Sequence, residues 1–357
     1  MKFAILHLSD FHLKKENSSW IIDRAHQVAN AVKLSLTDCK RIYVVVSGDI
    51  ANSGLVEEYE FAETFFSRLK SSLLSNITGE ISIKEHLICV PGNHDVCLKD
   101  ENKVQDVLRK SVVESYPEVD DSIYDAIVKS QSHYTEFIKR INEDPDYKPS
   151  LLTSFKDKID KFQIRFDLYN TAWMFSLKDP KGSIYMPIDR ASREIDNKES
   201  DLVVSVMHHY FDWLSDSKQN KTKFTRHIAD SSNILLYGHE HEFVSIGKSD
   251  NFSKGFISEY EGAAFYSKDE KGAVNSQFEV LVIDTEQSSC LQTTFCYYPK
   301  DSIYRCLQSK SHNISTEFKA GVFRHNIDYL QSLDEMPTPI YNFENEKFKL
   351  GTVRKTV

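Results

Sequence analysis

Short apolar runs alternate with longer amphipathic stretches over the first hundred residues. Apolar and β-branched side chains dominate from Phe3 to Leu8, from Ile42 to Val46 and from His86 to Val90. Between these runs, residues 20–37 and 56–74 carry apolar side chains at helical spacing. This order of strand, helix, strand, helix and strand predicts a parallel sheet with right-handed crossovers.

The middle of the chain has a different pattern. Residues 98–160 are rich in charge, and helical patterns run over 103–115 and 122–142, so we predict a helical cap inserted at about 98–160. Periodicity is lost after residue 298, which predicts one domain over 1–298 and a C-terminal extension or linker over 299–357. Beyond the cap, the pattern predicts a short helix at 219–230 and strands at 162–166, 172–177, 202–207, 234–237, 242–247, 255–260, 262–267, 277–284 and 291–298.

Side chains that can bind metals follow five of the predicted strands. In parallel α/β sheets, ligand sites lie beyond the carboxyl ends of the strands, so these side chains can converge in one cleft. Residues i and i+2 of an extended turn point the same way, and the pairs Asp10/His12 and His239/His241 therefore suit neighbouring ions. Mixed oxygen and imidazole ligands favour Mn, Fe, Zn or Ni. The clusters are Asp10 and His12; Asp49; Asn93, His94 and Asp95; His208 and His209; and His239 and His241.

The motifs D-x-H, G-D, G-N-H-D, H and G-H-x-H, in this order, resemble those of the calcineurin-like metallophosphoesterase superfamily over residues 1 to about 285. The resemblance implies an α/β fold, a four-layer α/β/β/α sandwich, with two divalent metal ions, Mn²⁺ being the first choice. It implies that His94 approaches the phosphate and that Asp95 orients His94. By the same resemblance, Asp10, His12 and His241 would hold one ion, Asn93, His208 and His239 the other, and Asp49 would bridge them.

Departures from the phosphatase motifs indicate the branch of the superfamily. Its protein Ser/Thr phosphatases carry G-D-x-x-D-R-G, whereas the turn from Gly48 to Gly54 reads GDIANSG and lacks the arginine. The chain is thus more similar to the phosphodiesterases and the Mre11/SbcD-like nucleases. Many relatives have proline after the double histidine, where this chain has Tyr210, and we choose His208 as the ligand because it directly follows the strand.

The resemblance therefore implies hydrolysis of phosphodiester bonds of a nucleotide or nucleic acid by a hydroxide that bridges the two metals. One alternative is a metal-dependent phosphomonoesterase or protein phosphatase, and another is a non-catalytic interaction module. His209 and Trp213 are candidate substrate contacts. For His209 an equally good interpretation is a histidine at the rim of the cleft, and for Trp213 the alternative is ordinary packing.

Charge and cysteine content narrow the class of partner and compartment. The chain of 357 residues has 44 Lys and Arg against 53 Asp and Glu, a net charge of −9, which disfavours non-specific binding to polyanions and mildly favours a small nucleotide over nucleic acid. Six dispersed cysteines without a CxxC pair indicate reduced thiols and a cytoplasmic protein. No apolar stretch approaches a membrane span, so we expect no membrane partner. A homodimer or protein partner could form through the cap or the C-terminal tail.

Overall fold

Two β-sheets form the centre of the molecule. The computed structural model describes residues 1–76, 81–100, 103–115, 119–176, 180–194, 200–240 and 257–314. The strands are β1 (Lys2–Leu8), β2 (Cys39–Val46), β3 (Ser82–Ile83), β4 (Ile88–Cys89), β5 (Leu152–Ile159), β6 (Phe162–Tyr169), β7 (Leu202–Val206), β8 (Ile234–Tyr237), β9 (Ser258–Glu261), β10 (Ser267–Lys268), β11 (Val274–Asn275), β12 (Gln277–Asp284), β13 (Ser289–Tyr298) and β14 (Ile303–Asn313). The α-helices are α1 (Lys15–Val32), α2 (Val56–Asn76), α3 (Lys103–Ser115), α4 (Asp121–Val128), α5 (Ser132–Ile141), α6 (Ile188–Glu194) and α7 (Asn220–Ser231).

The first sheet has the strand order β14-β13-β12-β1-β2-β3, and β4 also pairs with β2. β1 and β2 are parallel, as predicted, whereas β12 runs antiparallel to β1. The second sheet has the order β5-β6-β7-β8-β9, and β6 to β9 are parallel. The carboxyl ends of the parallel strands in both sheets therefore carry the loops that hold the predicted ligands.

Three apolar clusters separate four layers. Along β1, Phe3 and Ile5 face a cluster shared with the second sheet, and Ala4 and Leu6 face the cluster beneath α1 and α2. A strand that is buried on both faces reads as a continuous apolar run, which is why the run at Phe3–Leu8 does not alternate. A third cluster packs α7 against the outer face of the second sheet. The predicted four-layer α/β/β/α sandwich is confirmed.

Several local predictions differ from the structure. The helices of the insertion end at Ile141. Residues 152–159, which lie within the predicted helical cap, form strand β5. β14 pairs with β13, so the start of the predicted C-terminal extension is an edge strand of the first sheet. Both missed strands lie at sheet edges and carry mostly polar or exposed side chains, so neither shows the apolar pattern of a buried strand.

The predicted strand at 172–177 is a buried turn over the described residues 172–176. Two of its apolar side chains, Ala172 and Phe175, pack against Val96, and the other two, Trp173 and Met174, join the cluster on the outer face of the second sheet. The predicted strand at 262–267 is reduced to β10 at its end and an isolated bridge between Ser9 and Ala264. The predicted strand at 242–247, residues 255 and 256, and residues 315–357 lie outside the described part of the chain. None of the helices described is at once long and apolar enough to span a bilayer.

Candidate metal centre

Loops that follow five strands bring the predicted ligands together. Asp10 follows β1, Asp49 follows β2 and Asn93 follows β4 in the first sheet; His208 follows β7 and His239 follows β8 in the second. The site thus lies where the carboxyl ends of both sheets meet. His241, predicted as a ligand, lies outside the described residues.

The backbone of these loops is left-handed at four ligand positions. The φ angles are 54° at Asp10, 46° at His12, 53° at Asp49 and 80° at His239. Non-glycine residues rarely adopt such angles, and they cluster at functional sites. Backbone hydrogen bonds hold the two main turns together, since the N–H of His12 donates to the carbonyl of Asp49 at 3.0 Å and that of Asp10 donates to Gly48 at 3.1 Å.

Side-chain atoms from three other loops lie close to Nε2 of His208. Its Nε2 lies 3.1 Å from Asn93 Oδ1, 3.1 Å from His239 Nδ1 and 3.3 Å from Asp49 Oδ2. The other ring nitrogen, Nδ1, donates to the carbonyl oxygen of Ser47 at 2.7 Å. That bond aims Nε2 at the other three atoms, an arrangement of nitrogen and oxygen donors that suits a divalent transition metal.

A second group of donors adjoins the first through Asp49. His12 Nε2 lies 3.8 Å from Asp10 Oδ1 and 3.9 Å from Asp49 Oδ2. Oδ2 of Asp49 is buried and has no hydrogen-bond partner, and it lies between His12 and His208. A buried carboxylate oxygen that accepts no hydrogen bond needs positive charge beside it, from a protonated imidazole or from a cation. The donor set and this oxygen therefore fit a pair of divalent cations that share Asp49.

Glycines permit the close approach of these loops. A Cβ atom at Gly48 would lie 2.4 Å from Nδ1 of His208, and one at Gly92 would lie 2.1 Å from Oδ1 of Asp49. Gly48 also has a φ of 103°. Any other side chain at these two positions would displace a predicted ligand.

Burial and charge strongly shift the pKa values of the central residues. Burial alone would raise the pKa of Asp49, but His208, and then His12 and His94, hold it well below its usual value. Burial opposes a charge on His208, but Asp49 outweighs it and raises the pKa of His208 to about 9. For His239, burial and then His208 lower the pKa to about 4. At neutral pH without cations, Asp49 and His208 therefore form a buried ion pair, and His239 is neutral.

His94 lies beside the donors without contacting Asp95. Its Nδ1 makes a hydrogen bond of 2.8 Å with the carbonyl of Asn52, and its ring centroid lies 4.6 Å from that of His12. The backbone N–H of His94 donates to Asp49 Oδ1 at 2.8 Å. The Asn52 carbonyl therefore orients this imidazole and fixes Nδ1 as the protonated nitrogen.

Asp95 has a different role from the predicted one. Burial, and then the charge of Asp49, raise the pKa of Asp95 to about 6. Because its oxygens bind the loop that follows Asp49, Asp95 shapes that loop instead of orienting His94. The carboxylate accepts hydrogen bonds from the backbone N–H groups of Ile50, Ala51 and Gly92 and from the Tyr59 hydroxyl.

His209 is fully buried, so its interpretation as a rim histidine is wrong. Its ring stacks on Phe175 with a centroid distance of 5.5 Å, and its Nδ1 lies 3.1 Å from Thr171 Oγ1. The centroid lies 4.8 Å from that of His208 and 4.7 Å from that of His239. Burial, and then His208, hold the pKa of His209 well below its usual value, so it supports the two other imidazoles as a neutral ring.

Trp213 is half-buried and lies directly beside the site. Its ring centroid is 4.4 Å from that of His239, at 90°, and its Nε1 donates to Glu240 Oε1 at 2.9 Å. Lys181 Nζ lies 2.9 and 3.1 Å from the two carboxylate oxygens of Glu240. Sequence reasoning missed the supporting roles of Ser47, Asn52, Thr171 and Glu240. Ser47 and Glu240 carried a positional signal, because Ser47 directly precedes Gly48-Asp49 and Glu240 stands between His239 and His241.

Comparison with known proteins relates this geometry to a family. A search of curated proteins found no match. Among solved structures, the chain is similar to Vacuolar Protein Sorting 29 of Cryptosporidium parvum, with 12% identity, a TM-score of 0.34, and coverage of 87% of this chain and 98% of the other. It is also similar to the calcineurin-like phosphoesterase YfkN of Bacillus subtilis, with 12% identity, a TM-score of 0.37, and coverage of 93% and 97%. A phosphatase from Mycoplasma pneumoniae shares 11% identity at a TM-score of 0.37, with coverage of 87% and 93%.

The match to a family model covers most of the chain and the loops of the site. It spans residues 3–243 and therefore includes every residue that we predicted to bind a cation, from Asp10 to His241. The model is that of the calcineurin-like phosphoesterases, and the chain belongs to this family of metal-dependent phosphoester hydrolases.

Proposed function

We propose that the protein hydrolyses phosphodiester bonds of a nucleotide or nucleic acid with two divalent cations. The observation that carries this proposal is the convergence of donor atoms from separate loops. Asn93 Oδ1, His239 Nδ1 and Asp49 Oδ2 lie within 3.3 Å of His208 Nε2, and His12 Nε2 lies 3.9 Å from the same buried oxygen of Asp49. Family membership supports a metal-dependent phosphoester hydrolase, and the preference for diesters is our inference.

The residues would divide between two cations that share Asp49. We assign Asp10 and His12 to the first, together with His241, and Asn93, His208 and His239 to the second. Mn²⁺ suits this mixture of oxygen and nitrogen donors, and Fe, Zn or Ni are alternatives. Such a cation pair, when bound, activates water as a nucleophile and neutralises charge on the phosphoryl oxygens.

The protein's own groups then position and stabilise the substrate. The Asn52 carbonyl holds Nδ1 of His94, so Nε2 is the ring nitrogen that can meet a phosphoryl or leaving-group oxygen. The backbone N–H of His94 fixes Oδ1 of Asp49 and leaves Oδ2 free for cations. Asp95 holds the loop that carries Asn52 in place through its bonds to Ile50 and Ala51.

Two features support a diester of a nucleotide rather than a phosphomonoester. The turn from Gly48 to Gly54 lacks the arginine of the related protein phosphatases. Trp213 places an aromatic ring next to His239, where a base attached to the scissile phosphate could contact it. His209, a second candidate for substrate contact, is fully buried, and we assign it to the support of His208 and His239 instead.

The test compares diester and monoester substrates in wild-type protein and two variants. Protein loaded with Mn²⁺ should hydrolyse bis(p-nitrophenyl) phosphate faster than p-nitrophenyl phosphate. Asp49→Asn keeps the shape and tolerates the left-handed φ of 53°, but removes the charge that the cations share. We expect it to lower kcat/KM on the order of a hundredfold or more.

Asp157→Asn is the matched control. It makes the same chemical change between the two sheets, away from the metal centre, and should retain activity despite a loss of stability. Full activity of Asp49→Asn would overturn the proposal. A faster rate on the monoester would replace the diesterase with a phosphomonoesterase, and cation binding without turnover would favour an interaction module.

A further inference from the structure

A row of buried polar side chains crosses the first sheet on the face that packs against the second sheet. His7 on β1 lies directly opposite Glu279 on β12, and Gln292 follows on β13. Their exposed fractions are 0%, 1% and 2%. The neighbouring side chains on this face, such as Ile5 and Leu281, are apolar. Polar groups in such a layer must satisfy one another.

Hydrogen bonds connect this row to the end of β2. His7 Nδ1 lies 2.7 Å from Glu279 Oε1, and Gln292 Nε2 donates to the other oxygen of Glu279 at 2.6 Å. On its opposite edge, His7 Nε2 lies 2.9 Å from the hydroxyl oxygen of Ser47. A carboxylate accepts, so Nδ1 of His7 donates to Glu279, and Nε2 shares a hydrogen bond with the Ser47 hydroxyl.

Ser47 is the point at which this row meets the metal centre. Its carbonyl oxygen accepts the hydrogen bond of 2.7 Å from Nδ1 of His208, and this bond directs Nε2 of His208 toward the other donors. Ser47 also directly precedes Gly48 and Asp49. Ser47, held by its side chain, therefore orients His208. It also begins the turn that carries the Asp49 carboxylate.

We propose that His7, anchored by Glu279, is a positioning residue that acts through Ser47 on the imidazole of His208 and so tunes the affinity of the second cation site. This inference rests on the proposed two-cation function. Outer hydrogen bonds of this kind fix the tautomer and orientation of ligand imidazoles, and their loss typically weakens metal binding about 10- to 100-fold.

The burial of the Glu279 side chain between the two sheets supports a role for this polar row beyond packing. A charged group in an apolar layer is expensive to desolvate, and apolar residues of similar volume often fill such positions at no loss of stability. The row ends at Ser47, next to the metal centre. At this position a polar side chain can affect the orientation of a predicted ligand, His208.

Two substitutions of His7 separate the contacts of its two ring nitrogens. In His7→Asn the amide can occupy the place of Nδ1 and contact Glu279, but it does not reach Ser47. In His7→Gln the longer amide can occupy the place of Nε2 and contact the Ser47 hydroxyl. Ser47→Ala removes only that hydroxyl and keeps the carbonyl that His208 uses.

Asp167→Asn serves as a structural control. It disturbs the Arg165–Asp167 ion pair, which has exposed fractions of 2% and 0% and lies on the second sheet. Each full-length variant is titrated with Mn²⁺ in competition with a fluorescent chelator, and thermal unfolding is recorded in EDTA.

We expect Ser47→Ala and His7→Asn to raise the Kd of one of the two Mn²⁺ ions about tenfold, with His7→Gln close to wild type. Asp167→Asn should unfold at a lower temperature with unchanged Mn²⁺ affinity. Equal Mn²⁺ binding by all variants and an active wild-type enzyme would overturn this inference alone. Equal weakening of Mn²⁺ binding in His7→Asn and His7→Gln would also overturn this inference. Wild-type protein that binds fewer than two cations would overturn the proposed function as well. If the His7 variants fail to fold, Ser47→Ala decides.

Discussion

At the scale of single residues, the ion pair between Asp49 and His208 couples cation binding to pH. His208 has a pKa of about 9, above the value of about 6.5 for a free imidazole, because Asp49 outweighs the effect of burial. Below pH 9 the ring carries a proton at Nε2, since Nδ1 donates to Ser47. A cation can bind Nε2 only after this proton leaves.

We therefore expect cation binding at pH 7 to release about one proton from His208, and the affinity to rise about tenfold per pH unit until pH 9. His239, with a pKa of about 4, contributes no proton in this range. Calorimetric titration with Mn²⁺ in two buffers of different ionisation enthalpy measures the proton count. Binding without proton release at pH 7 would show that His208 is not a ligand. His208→Gln, which carries no titratable proton, should release about one proton fewer than wild type.

The sequence predicted that side chains following separate strands would lie together, but it did not predict the contacts that only the three-dimensional fold creates. The convergence of Asp10, Asp49 and His208 could be predicted because each follows a strand that is visible in the sequence. The partners of Asp95 could not be predicted, because its carboxylate binds backbone N–H groups of a turn 45 residues earlier. Every residue except proline has a backbone N–H, so no particular residue type predicts that contact.

At the scale of elements, one carboxylate connects the two sheets at a distance from the metal centre. Asp157 on β5 accepts hydrogen bonds from Arg41 Nη1 at 2.7 Å and Tyr43 Oη at 2.8 Å, both on β2, and from Lys84 Nζ at 3.0 Å. Burial would raise the pKa of Asp157, but Lys84, then Tyr43 and Arg41, hold it below its usual value. The ionised carboxylate thus stabilises the contact between the sheets.

We expect Asp157→Asn to reduce the free energy of unfolding by about 1–3 kcal/mol at pH 7. Because the folded-state pKa is depressed, the contribution of Asp157 is present above the unfolded pKa of about 4 and is lost as pH falls through the lower folded value. The difference between wild type and variant in urea unfolding should therefore shrink toward pH 3. A difference that stays constant with pH would contradict the electrostatic account.

Strands with two buried faces were predictable, and the edge strands β5 and β14 were not. The runs that became β1, β7, β8 and β12 are largely apolar and buried on both faces, and they were placed within a few residues. β5 and β14 have neighbours on one side only, so tertiary pairing, and not an apolar pattern, makes them strands.

At the scale of the whole molecule, we expect the net charge of −9 to favour a small nucleotide over nucleic acid as the substrate. An acidic protein gains little from the counterion release that drives non-specific binding to nucleic acid. We expect a single-stranded oligonucleotide that the protein does not cleave to inhibit hydrolysis of bis(p-nitrophenyl) phosphate only weakly, even at low salt. A cyclic or dinucleotide diester should compete more strongly at equal phosphate concentration. Tight inhibition by the oligonucleotide that weakens steeply with salt would instead indicate a nuclease.

The position of β1 has a consequence for the order of folding. β1 lies between β2 and β12, and its register with β12 joins Lys2 to Asp284. Asp10 and His12 directly follow β1, yet this strand lacks one neighbour until the distant β12 has paired with it. Pairing across such a separation is slow, since loop closure must precede the contacts that reward it. We therefore expect the donor cluster to be completed late in refolding, so that ion capture marks the end of folding rather than its beginning.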